Sequence, residues 1–187
     1  MKSIFLIVNV LLACNGFSQD TTSWKKHVID NIVTLNLPDG DLEIIRPWEG
    51  FTVYRARYDS VSFLFTKLDN TGTAPMADDS DDLKHLYRKL LQGFIMTSKS
   101  QLIDTSLFKE GKFIGSYLKG KKNNEGIDCF LEYKAYFLNE DTYGIQILYP
   151  ISREPALTDM RKKLLTSMII SPSVVQTKSA VKKKSGI

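Results

Sequence analysis

The chain has 187 residues, with 25 Lys and Arg against 21 Asp and Glu, 43% apolar and 11% aromatic content. That much apolar side chain excludes a wholly disordered polymer, and 11 glycines exclude a collagen. The net charge of +4 lies at the termini, leaving 20 basic and 21 acidic residues in 19–170; so neutral a body excludes a broad phosphate-binding face and a nucleic-acid partner.

Met1-Lys2 is a short positive start, and Ile4 to Cys14 is an apolar stretch interrupted by Asn9. Gly16-Phe17-Ser18 then places small residues before Gln19, which completes the layout of a secretory signal peptide over 1–18. The stretch is far shorter than the about 20 helical residues that span a bilayer. Leu11-Leu12-Ala13-Cys14 also resembles a bacterial lipobox, which makes Cys14 a candidate lipidation site. The expected location is outside the cytoplasm: periplasmic or secreted, or lipid-anchored through Cys14. Ordinary cleavage leaves one thiol, Cys129, which cannot form an internal disulfide. A body of this size buries roughly 70% of its unfolded surface without one.

Residues 19–27 are polar and read as a loose lead-in. Residues 32–37 alternate as a strand that ends at Pro38-Asp39-Gly40. Phe51 to Tyr58 and Val61 to Leu68 read as a hairpin around Asp59-Ser60, with Phe51, Val53, Val61, Phe63 and Phe65 as its apolar face. Residues 69–80 read as a loop whose Asp79 or Ser80 can cap the following helix. Leu83, Leu86, Tyr87, Leu90, Leu91 and Phe94 form one helical stripe there, and each such side chain contributes roughly 1.5–3 kcal/mol when fully buried.

Strands are predicted at 102–109, 112–119, 127–138 and 142–149. Their short polar connections, including 120–126, force antiparallel neighbours. In the third strand, Cys129, Leu131, Tyr133, Ala135 and Phe137 share one face, and a half-polar face carries Asp128, Phe130, Glu132, Lys134 and Tyr136. A second helix is predicted from Glu154 to Ser167, with Pro155 in its first turn and a stripe of Leu157, Met160, Leu164, Leu165 and Met168. Met168-Ile169-Ile170 extends it or adds a short strand. Residues 171–187 carry four lysines, no acid and no stripe, and read as a disordered tail after one domain over 19–170.

The common catalytic and metal signatures are missing. His27 and His85 stand alone, without the ligand spacing zinc needs. The acidic run Asp78–Asp82 has neither the glycine nor the spaced Glu of a calcium loop, and reads as helix-end compensation. There is no GxSxG elbow, P-loop or GxGxxG. Cys129 lies on an apolar strand face and reads as a buried structural cysteine. No cofactor and no metal is expected. Two basic runs remain as candidates for contact with anionic lipid or glycan: Lys119, Lys121 and Lys122 at an expected hairpin tip, and Lys182, Lys183 and Lys184 in the tail.

The order of elements resembles a known family. An early strand ends in Pro (Val33-Thr34-Leu35-Asn36-Leu37-Pro38). A helix, long antiparallel strands and a Tyr-rich strand pair follow, and the closing helix ends in Leu164-Leu165-Thr166-Ser167-Met168-Ile169. That ending is similar to the PsbP-like superfamily, which includes DcrB-like bacterial envelope proteins; Met168 stands where Phe is usual. The resemblance implies an α+β fold, a central antiparallel sheet of about six or seven strands with helices on both faces. The alternative is a cystatin-like or nuclear-transport-factor-like curved sheet. It also implies a non-catalytic module that binds an envelope or secreted protein. A lipid or small-ligand carrier and a hydrolase with a scattered carboxylate site are the other two classes that remain.

Overall fold

The computed structural model describes residues 23–69, 80–139 and 141–173. Ten strands and two α-helices occur among them. The strands are β1 (Trp24–Val28), β2 (Val33–Pro38), β3 (Glu43–Trp48), β4 (Phe51–Tyr58), β5 (Val61–Leu68), β6 (Gln101–Glu110), β7 (Phe113–Asn124), β8 (Ile127–Leu138), β9 (Asp141–Pro150) and β10 (Met168–Ile170). Helix α1 (Ser80–Ser98) lies between β5 and β6, and α2 (Thr158–Leu165) between β9 and β10. The strands form a seven-stranded antiparallel sheet, β3-β4-β5-β9-β8-β7-β6, and a small sheet, β1-β2-β10.

Side-chain alternation gives the large sheet two apolar faces. On the first, Leu118, Tyr133 and Ala135 pack with Leu91 and with the partly buried Leu90, Phe94 and Ile95 of α1. On the second, Phe63, Phe65, Tyr136, Leu138, Ile145 and Ile147 meet Val33, Leu35 and Leu37 of β2 and Leu157, Leu164 and Met168 around α2. The helices therefore cover opposite faces, as the resemblance implies.

Two tight fits dock α1. Gly144 leaves room for Tyr133: a Cβ there would lie 2.7 Å from the Tyr133 ring. The ring then stacks on Phe94 of α1, centroids 4.1 Å apart. The Tyr87 hydroxyl donates to the Ile114 carbonyl at 2.6 Å and accepts the Phe137 amide at 3.1 Å. Those two residues stand just beyond the last β7–β8 pair, Ser116 with Ala135, so one phenol replaces a ladder bond.

Several expectations need correction. Residues 24–28 form edge strand β1, and β3 lacks the alternation that would announce it. β7 continues through Gly120–Asn124 and turns at Glu125-Gly126, because polar side chains on a paired strand cost nothing while its ladder is satisfied. The buried side of β4 carries Ala56 and Tyr58, of opposite parity to Phe51 and Val53. The second face of β8 is deeply covered, with Glu132 and Tyr136 buried. Before α2 there is a 3-10 turn at Ile151–Arg153, and Pro155 lies in the turns that follow it, ahead of the helix proper. Met168–Ile170 is a strand paired with β2.

Candidate functional site

The densest polar constellation lies on the second face, where β7, β8 and β9 run side by side. In the ladder Lys119 stands opposite Glu132, and Glu132 opposite Ile147. The Glu132 carboxylate is 3% exposed. It accepts the Tyr117 hydroxyl at 2.6 Å, the Tyr149 hydroxyl at 2.5 Å and Arg161 Nη1 at 2.9 Å. Arg161 reaches down from α2 and also donates to Tyr149 Oη at 2.7 Å and to Glu154 at 3.0 Å. Lys119 Nζ bonds the same Glu154 oxygen at 2.8 Å and lies 4.0 Å over the Phe130 ring.

A buried carboxylate is tolerated only when its lone pairs are filled and its charge is matched. Both conditions hold for Glu132. Burial, reinforced by the Glu132 charge, pushes the Tyr117 and Tyr149 phenols well above their ordinary pKa. They stay protonated donors at any physiological pH. The Lys119 ammonium holds Glu154 below the usual carboxylate range. The cluster is thus a charged strut that ties α2 to the sheet.

A second strut joins the small layer to the sheet. Asp30, in the β1–β2 turn, accepts the amides of Ile32 and Val33 at 2.8 Å each. It also accepts Tyr143 Oη and Lys67 Nζ, both at 2.9 Å. Burial works to raise its pKa, but the Lys67 bond and the two amides outweigh it and hold it low. Asp69 and Asp141 flank the same lysine at 3.3 and 3.7 Å.

The sequence-predicted residues fall in different places. Lys119 belongs to the Glu132 strut. Lys121, half-exposed, pairs with Asp128 at 2.8 Å. Lys122 stands opposite Cys129, on the other face. All three lie within strand β7, two residues or more before the tip at Glu125-Gly126. Cys14 and Lys182 to Lys184 lie outside the described residues, as do Asp78 and Asp79. Cys129 is 4% exposed, and burial, with Asp128 nearby, pushes its thiol pKa up. It borders a cavity of about 280 Å³ shared with Arg57, Asp59 and Glu125. A cleft of about 300 Å³ lies between Trp24, Asn36, Lys163 and Ser167. Among the described residues no three His, Cys, Asp or Glu side chains are grouped to hold a metal ion.

Sequence reasoning missed the strut centred on Glu132, because Arg161 is 29 residues away along the chain. One signal was present: a lone acid beside Phe130 and Tyr136 on a strand face. Also missed was the partly exposed aromatic pair that closes the β3–β4 hairpin. Trp48 and Phe51 face each other across the Glu49-Gly50 turn, where Gly50 adopts φ +79°. Their rings stack at 4.5 Å, and Trp48 is 60% exposed.

No protein-family model and no curated protein matches the sequence. Solved structures do. Cyanobacterial PsbP (CyanoP) from Synechocystis sp. PCC 6803 superposes with a TM-score of 0.58 at 11% identity, over 84% of this chain and 97% of that one. Protein PA94 of unknown function from Pseudomonas aeruginosa gives 0.48 at 14% identity, over 80% of this chain and 99% of the other. LpqN from Mycobacterium tuberculosis, described as involved in cell envelope biogenesis, gives 0.42 at 18% identity, over 81% and 92%. At 11% identity the likeness to CyanoP is one of fold, and the chain has the PsbP-like α+β fold.

Proposed function

We propose that the chain is a non-catalytic, exported binding module for a protein of the cell envelope. The observation that carries this reading is the Trp48–Phe51 pair. Trp48 is stacked and largely exposed, and tryptophan is among the side chains most enriched at interface hot spots. Ile44, half-exposed on the same hairpin, widens the apolar surface, and Arg46 stands exposed beside it. The partner is a protein with an apolar pocket that accepts the indole. The two struts support the same reading, since their charged groups are spent on one another. The leader-like residues 1–18 support export.

A photo-crosslinking side chain placed at Phe51 tests the idea in cells that make the protein. The expected result is one dominant adduct, with its yield cut at least tenfold by Trp48→Ala at unchanged melting temperature. Undiminished adduct with Trp48→Ala, or the same adducts from a crosslinker at exposed Met96, overturns the reading.

A further inference from the structure

We propose that an amphipathic helix of the envelope partner lies on the open half of the first sheet face, beside α1, with its acidic side chains on Arg55 and Arg57. This inference rests on the binding reading above and gives that partner its chemistry. Helix α1 lies over β6 and β7, and its apolar side chains meet Leu118, Tyr133 and Ala135. The ladder carries the same face further, from Tyr133 to Gln146, Leu64 and Arg55 in one row. The next row on that face runs from Gly144 through Thr66 and Val53 to Ile45, and the one after it ends at Phe51 opposite Trp48. A sheet face left to water carries mainly polar side chains. This one carries Ile45, Phe51, Val53, Leu64 and Leu148, all partly exposed, and none of them joins either core cluster. An apolar patch of this kind with a polar rim marks an interaction surface.

The chemistry of the face selects its occupant. β4, β5 and β9 each have a neighbour on both sides, so their backbone groups are spent in the ladder and the face offers side chains alone. An extended segment laid across it would bury its own amides unpaired. A helix satisfies its backbone internally and packs on a sheet through one apolar stripe, as α1 does alongside. Charge gives the helix its composition. Arg55 and Arg57 stand exposed on this face. Arg57 has no ion-pair partner among the described residues, and Asp59, two residues on, is taken by Arg153 at 2.7 Å. Arg55 holds Glu43 at 2.6 Å with both side chains about half in water, a tie worth little. Acidic side chains complete this pair of cations, and the negative C-terminal end of a helix fits beside them. Phe51 to Arg57 is about 20 Å along the strand, a span of about 13 helical residues. At the far end of that span the Trp48 indole meets the partner's apolar pocket.

A photo-crosslinking side chain at Leu64, in cells that make the protein, tests this. The expected adduct is with the same protein that Phe51 captures. Leu64 lies opposite Arg55, four residues along β4 from Phe51. Peptide mapping is therefore expected to place the two captured sites about nine residues apart, the helical spacing, where an extended segment gives about four. Arg57→Glu is expected to cut the Leu64 adduct at least tenfold at unchanged melting temperature. Exchanging the partner's acid mapped beside Arg57 for lysine is expected to restore it. A Phe51 adduct that needs Trp48, with none from Leu64, overturns the helix and leaves the binding reading standing. No adduct from either position overturns both. Captured sites about four residues apart assign the face to an extended segment, and an adduct between two copies of this chain assigns it to a dimer. Either result overturns the proposal, as does a Leu64 adduct indifferent to Arg57→Glu.

Discussion

Glu132 shows how one buried charge organises its neighbours. Removing it leaves two phenols without their acceptor and the largely buried Arg161 guanidinium with Glu154 as its one remaining carboxylate. Glu132→Leu is therefore expected to cost about 3–5 kcal/mol. Adding Arg161→Met should recover a large part of that loss, since the pair's net worth is far smaller than the cost of orphaning one partner. Urea midpoints of the two variants and of the parent decide it; a double variant no better than the single one would refute the coupling. Asp30 predicts a pH effect. Its folded pKa lies below the ordinary value of about 3.9. Its contribution is thus complete above that value and is lost as pH falls through the lower, folded pKa. Asp30→Asn should flatten the fall in stability below about pH 4 relative to the parent, measured by urea titration at stepped pH.

At the level of elements, helix α1 is held by shape. Gly144→Ala would put a methyl 2.7 Å from the Tyr133 ring and 2.9 Å from Thr66 Oγ1. The expected cost is about 1–3 kcal/mol, typical of overpacking. Tyr133→Leu in the same chain should recover part of it; thermal melts of the three variants are the check. How legible each element is in the sequence follows from the same physics. β5 and β8 are readable to their end residues because alternation and flanking turns coincide there; the bounds of β4 are readable from its turns, but not which of its sides is buried. The α1 stripe is readable because burial selects it. β1 is not, because Lys25 and Lys26 lie on an edge strand whose support is its ladder to β2. The far half of β7 is hidden for the same reason. Neither strut is readable, since each is assembled from residues that only the folded chain brings together.

For the molecule as a whole, the layers are interdependent. Residues 158–170 supply Leu164, Met168, Arg161 and the strand β10. A chain ending at Leu157 is expected to lose cooperative unfolding altogether, because the second face then keeps only the β1–β2 pair as cover and Glu132 loses Arg161. Circular dichroism melts and near-ultraviolet signal would show this; a sharp transition in the shortened chain would contradict it. By contrast, Trp48→Ala should leave the melt unchanged, since that side chain is mostly in water.

The pairing of β2 sets the order of events in time. Its two neighbours, β1 and β10, come from opposite ends of the described chain. A chain emerging from one end makes β2 early and waits more than a hundred residues for its second partner. Until then Val33, Leu35 and Leu37 lack their final cover. Non-local closure of this kind is slow. A nascent chain therefore lacks the third strand of its small sheet until Met168–Ile170 has appeared.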